Sequence, residues 1–141
     1  MLLNVSYNNP DIKRRIDAEL GPTIPFFERI KMGGIGSPRL VITSTSVEIN
    51  NLLILDNNRN YCNVEIRPKG IIVGFRSLLE SYALVIPFYK LRLYKGRAEE
   101  YSIYRDHYFI KVEAKEKNVH SFFKKLLAFQ AENAPMQVDD L

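Results

Sequence analysis

From Arg39 onward the apolar residues of this chain fall at every second position, and from Asn118 they fall three and four apart. A period of two suits a half-buried strand, and a period near 3.6 suits a helix. The order therefore predicts an α+β domain that is mainly β, with antiparallel strands first and one amphipathic helix last. RLVITSTSVEI at 39–49 alternates and is rich in β-branched residues, while LLIL at 52–55 is a short apolar run before the turn cluster DNNRN. YCNVEIRPKGIIVGF puts Cys62, Val64 and Ile66 on one face and Asn63, Glu65 and Arg67 on the other, with Pro68, Lys69 and Gly70 turning into the next strand. After a polar break at RSLLES, YALVIPFYKLRLYKG reads as a strand interrupted at Pro87, whose missing N–H suits an edge, a bulge or a strand start. Beyond it Tyr89, Leu91 and Leu93 alternate with Lys90, Arg92 and Tyr94. EEYSIYRDHYFIKVEAK predicts a hairpin in which Tyr101 and Ile103 match Tyr108, Ile110 and Val112. In the closing segment Asn118 is the expected N-cap, and Val119, Phe122, Phe123, Leu126 and Leu127 form one stripe.

The first 38 residues follow a different rule. Asn9 is an N-cap candidate with Pro10 at the first helical position and Asp11 in the first turn, and Gly21 with Pro22 supplies the stop, which predicts a helix over 10–20. Its Ile12, Ile16 and Leu20 make a narrow stripe fit to dock on something larger. A shorter helix over 25–32 would present Phe26, Phe27 and Ile30. Gly33, Gly34 and Gly36 have no preceding strand, no following helix signal and no Lys-Ser/Thr ending, so they read as a hinge and not a phosphate loop. Asp11, Asp17 and Glu19 dilute Lys13, Arg14 and Arg15, unlike a membrane-surface helix. The apolar stripe and Phe26 with Phe27 should then pack on the β domain or on a second copy. The expected division is a helical extension and hinge at 1–38, the β domain with its helix at 39–134, and a tail at 135–141.

Composition narrows the function. A length of 141 residues suits one domain. One cysteine allows neither an intramolecular disulfide nor a multi-cysteine zinc site. The start MLLNVSYNNPDIKRR lacks the charge and apolar run of a signal peptide, and the longest apolar stretch, 83–89, is far below the roughly 20 residues of a membrane span. A cytoplasmic protein without a transmembrane segment is expected. Twenty basic residues against 16 acidic ones give a net charge of +4, which suits a mixed-charge surface and weak, non-specific attraction of anions. His107 and His120 have no partner at metal or triad spacing, and the alternation places Cys62 inside, where a thiol is an inert small hydrophobe. An enzyme using Cys62 with a histidine is thus a distant alternative. Glu99–Glu100 and Asp139–Asp140 read as solvated pairs. No catalytic residue, metal ligand or cofactor is expected.

Six or seven strands followed by one closing helix, with PKG before IIVGF, then ALVIPFYKLRLYKG, the YSIY/YFIKV hairpin and NVHSFFKKLLAFQ, resemble the pleckstrin-homology-like barrel, in particular its small bacterial versions. The resemblance covers residues 39–133. It implies two nearly orthogonal sheets curled together, with the C-terminal helix plugging one open end. It also implies a binding role, in which basic residues around the first strands can hold a phospholipid headgroup. The cations here are Arg67, Lys69, Lys90, Arg92, Lys95 and Arg97, with Arg76 nearby. Arg67 and Lys69 flank a proline, which departs from the family's spaced Lys and Arg-x-Arg arrangement, and Lys90 with Arg92 should share the wet side of one strand. The leading expectation is a non-catalytic module that binds a protein or peptide, or another copy of itself, through the outward aromatics Tyr94, Tyr104 and Phe109. An anionic-ligand binder comes second. Nucleic acid is not expected, because too few exposed aromatics interleave with the cations.

Overall fold

The computed structural model describes residues 1–7, 9–54, 60–96 and 99–133. In chain order the elements are β1 (Leu2–Asn4), α1 (Pro10–Leu20), α2 (Phe26–Met32), β2 (Leu40–Thr45), α3 (Val47–Leu53), β3 (Tyr61–Arg67), β4 (Gly70–Ser77), β5 (Glu80–Pro87), β6 (Arg92–Lys95), β7 (Glu100–Arg105), β8 (Tyr108–Glu113) and α4 (Lys117–Asn133). Among the described residues, eight strands form one antiparallel sheet in the order β1-β5-β4-β3-β2-β8-β7-β6. The sheet is not closed, since its two end strands, β1 and β6, do not pair among the described residues. β2 serves both halves. Its Leu40 and Val41 pair with β3, its Ile42, Ser44 and Thr45 pair with β8, and the register shifts between Ile42 and Ser44. Such an irregularity bends a strand and lets one element turn from one half-sheet into the other.

The alternation read from the sequence sets the faces. Cys62, Val64 and Ile66 on β3, Ile71, Val73 and Phe75 on β4, Leu84 and Ile86 on β5, and Ile103, Ile110 and Val112 on β7 and β8 all join one buried cluster. α4 covers it with Val119, Phe122, Phe123 and Leu126, while Leu127 stays 45% exposed. Phe123 stacks on Tyr101 with ring centres 4.1 Å apart, and Phe129 meets Phe88 at 5.9 Å. The 101–112 hairpin has the expected register, with Tyr101 opposite Val112 and Ile103 opposite Ile110.

Four local expectations are corrected. Residues 47–53 form α3 and do not continue a strand into LLIL: Ser46 leaves the ladder by exchanging bonds with Phe109, its N–H donating to the Phe109 carbonyl at 3.0 Å. Ile49 and Leu53, four apart, then become the buried pair. Leu55 and most of DNNRN, 56–59, lie outside the described residues. RSLLES is no break but a two-residue turn, Leu78–Leu79, between β4 and β5. β5 ends on Pro87, whose carbonyl accepts from the N–H of Lys90 and of Leu91, so Lys90 sits in a turn and does not share a strand with Arg92. Asn118 lies inside α4, which begins at Lys117, while the Glu116 carbonyl accepts from Val119 and His120.

α1 has the caps its sequence prescribes. Asn9 Oδ1 accepts from the N–H of Asp11 at 2.9 Å and of Ile12 at 3.4 Å, and Gly21 ends the helix at φ 80°. Ile16 and Leu20 pack on Val85 with Leu3 and Ile72, forming a second apolar cluster on the sheet face opposite the main core. Arg67 holds α1 from β3, donating to Asp17 at 3.1 Å and to the Gly21 carbonyl at 3.0 Å; Arg105 on β7 pairs with Glu19 at 2.7 Å and also reaches the Val85 carbonyl on β5. β1, absent from the sequence reading, adds to β5 through Leu2–Leu84 and Asn4–Tyr82. Phe26 and Phe27 do not pack on the sheet; they are 61% and 78% exposed on α2 and touch each other edge to face. Gly33 closes α2 in the left-handed conformation, and Lys125 of α4 donates to the Gly34 carbonyl at 3.0 Å. The tail, 135–141, lies outside the described residues, and among those described no helix is long and apolar enough to cross a membrane.

Candidate functional site

The half-sheet β6-β7-β8 turns one face to the core and the other to solvent. Arg92 pairs with Tyr104 and Tyr104 with Phe109, while Tyr94 pairs with Ser102 and Ser102 with Lys111. Register therefore brings Tyr94, Tyr104 and Phe109 together on the outer face. Tyr94 meets Tyr104 edge to face at 5.5 Å, Tyr104 meets Phe109 at 5.6 Å, and the Lys111 ammonium lies 5.8 Å from the Phe109 ring centre. Quadrupoles favour such offset and perpendicular contacts, and a cation over a ring face adds to them. Lys111 was not among the sequence candidates. Its signal was present in the spacing, since Phe109 and Lys111 are two apart in a strand and must share a face.

β6 is the last strand on its side of the sheet. The Gly96 N–H donates to the Glu100 carbonyl at 2.6 Å, so by antiparallel alternation Tyr94 and Arg92 bond to β7. The N–H and C=O groups of Leu93 and Lys95 are left pointing away from the sheet. Arg92 and Lys95 are exposed beside them, and Lys90 stands near this end, 3.5 Å from Asp106.

The other sequence candidates lie apart. Arg67 is drawn into pairs with Asp17 and Glu65. Lys69 is exposed in the β3–β4 turn, its N–H donating to the Leu20 carbonyl. Arg97 lies outside the described residues, as do Asp139 and Asp140. Glu100 accepts from Thr43 at 2.8 Å. His107 faces Glu48 at 3.4 Å and His120 faces the Tyr101 hydroxyl at 3.2 Å. No group of three metal-ligating side chains occurs among the described residues.

Cys62 is buried, and burial pushes its thiol up to about 12. A nucleophile at neutral pH needs the thiolate, which this environment suppresses. Cys62 is therefore expected to resist iodoacetamide at pH 8 in the folded protein and to react readily in denaturant; equal rates in both states would contradict its burial. The sign for stability follows. The thiol is protonated in both states below its ordinary value near 9, so its contribution is full there and is lost as pH rises toward 12.

In comparisons with known proteins, no family model, no curated protein sequence and no solved structure matches this chain.

Proposed function

We propose that this chain is a non-catalytic binding module of the pleckstrin-homology-like kind, and that it takes an extended, acidic peptide along β6. The carrying observation is the outward backbone edge of Leu93 and Lys95, which no other strand among the described residues pairs with, beside the three-ring row and the basic side chains. An extended peptide can add to such an edge by main-chain hydrogen bonds, with specificity read by its alternate side chains. Arg92, Lys95 and Lys111 favour acidic ones, and the exposed Tyr94 with the half-buried Tyr104 offers contact area at low conformational cost. The fold reading draws support from the seven-strand run β2–β8, whose first and last strands pair, and from the helix that follows and covers the core.

A short edge bearing lysine is also how chains discourage edge pairing. Lys95 separates the two readings. Its N–H faces outward, so Lys95→Pro removes a donor that a bound strand would use and leaves the bonds to β7 in place. Peptides selected from a randomised displayed library should be acidic and should shift the Leu93 and Lys95 amide signals. Their affinity should fall about tenfold in Tyr104→Ala, roughly 1.4 kcal/mol, and further in Lys95→Pro than in Lys95→Ala. A selection that yields no peptide, or peptides indifferent to Lys95→Pro, would end the proposal.

A further inference from the structure

β4 holds two glycines, and only one is explained by its surroundings. A Cβ at Gly70 would lie 2.2 Å from the Ile86 carbonyl oxygen and 2.6 Å from Leu20, so no side chain fits where α1 presses on the sheet. At Gly74 the Tyr82 carbonyl oxygen would be 3.9 Å away, an ordinary contact, and nothing else beyond the flanking residues comes within 4 Å. Gly74 does not have a positive φ, and it sits in mid-strand between Asn63 and Ala83. A glycine inside a strand costs roughly 0.5–1 kcal/mol and is found at bulges, at tight bends and where a ligand or another backbone approaches closely; the register of β4 with both neighbours runs without a shift through Gly74, which leaves the last.

What lies over Gly74 is a groove of about 520 Å³ on the face of β3-β4-β5 opposite the main core. Gly74 and Ala83 form a floor almost without side chains, Asn63 adds an amide, and Arg39, Tyr61 and Arg76 line the groove. The Arg39 guanidinium lies 4.8 Å above the Tyr61 ring. Arg67 and Arg105 are paired with carboxylates, whereas neither Arg39 nor Arg76 has such a partner among the described residues.

We propose that this groove binds a small planar anion, an aromatic or heteroaromatic ring bearing a carboxylate or phosphate. The ring lies flat on the backbone at Gly74, and Arg39 and Arg76 meet the charge. The volume is within the range of small-ligand sites. Guanidinium forks match carboxylate and phosphate oxygens, and the bare floor admits a ring face that any larger residue at 74 would lift away. The site is on the other half of the sheet from β6 and does not depend on peptide binding there.

The test is amide NMR titration of the full chain with benzoate, phenyl phosphate, uncharged benzamide and inorganic phosphate. Benzoate or phenyl phosphate should shift Asn63, Gly74 and Ala83 saturably in the millimolar range or tighter, and the stronger of the two identifies the acid group. Benzamide and inorganic phosphate should bind at least tenfold more weakly. Gly74→Val should keep the wild-type fold and lose binding tenfold or more, as should Arg76→Ala, a surface change that does not touch the core. Inorganic phosphate binding as well as phenyl phosphate, shifts confined to other residues, or Arg76→Ala binding unchanged would each overturn the proposal.

Discussion

Ending the chain at Lys117 is expected to leave a polypeptide with no cooperative thermal transition. Val119, Phe122, Phe123 and Leu126 are each at most 5% exposed in the intact protein, and each contributes roughly 1.5–3 kcal/mol by burial. Together they approach the net stability of a typical domain, about 5–15 kcal/mol. Their loss also uncovers Tyr101 and Phe88, on which α4 rests. Exposed core on an open sheet then favours aggregation. Calorimetry of residues 1–117 beside the full chain decides the matter: a sharp transition in the shorter one would mean that α4 is an accessory and not part of the core. The milder change Phe123→Ala should cost about 3–5 kcal/mol.

Gly70→Ala is expected to be the most damaging glycine-to-alanine change in the chain. The added carbon would meet main-chain atoms of Ile86 and Pro87, which cannot retreat without breaking the pairing of β4 with β5. Overpacking usually costs 1–3 kcal/mol, and a clash with backbone belongs at or above the top of that range, about 3 kcal/mol or more. Gly74→Ala, four residues on, should be neutral or stabilise by about 0.4–1 kcal/mol, because it only narrows the unfolded ensemble. Urea titrations of the two variants give the comparison directly. A Gly70→Ala protein as stable as wild type would show that β5 does not approach Gly70 this closely at Ile86 and Pro87.

Local chemistry explains which parts of this fold were legible in the sequence. Asn9, Pro10 and Gly21 state the limits of α1 by themselves, and the alternation of Cys62, Val64 and Ile66 states the buried face of β3. The hairpin of β7 and β8 was readable for the same reason. α3 was not, because VEINNLL is too short for a period of two to be told from one of 3.6, and what ends the strand is the contact of Ser46 with Phe109, far along the chain. Arg67 read as a free cation since nothing near it reveals Asp17, a helix partner fifty positions earlier. The outward direction of Tyr94, Tyr104 and Phe109 was visible, but their meeting depends on the register of three strands. Gly74 was in plain view as a letter, and only the packed structure reveals the space above it.

The double allegiance of β2 has a kinetic side. The meander β3-β4-β5 and the hairpin of β7 and β8 close over two-residue turns at Pro68–Lys69, Leu78–Leu79 and Asp106–His107, so their pairings are local and form at little entropic cost. Pairing β2 with β8 is different, since Ile42 must find Val112 with strands β3 to β7 lying between them in the chain. The chain loses that freedom before any contact at the junction compensates for it, which is what makes distant pairings slow. Two locally formed halves, a late junction at β2, and a C-terminal helix that gains its full surface only once both halves are in place is the order of assembly that this topology favours.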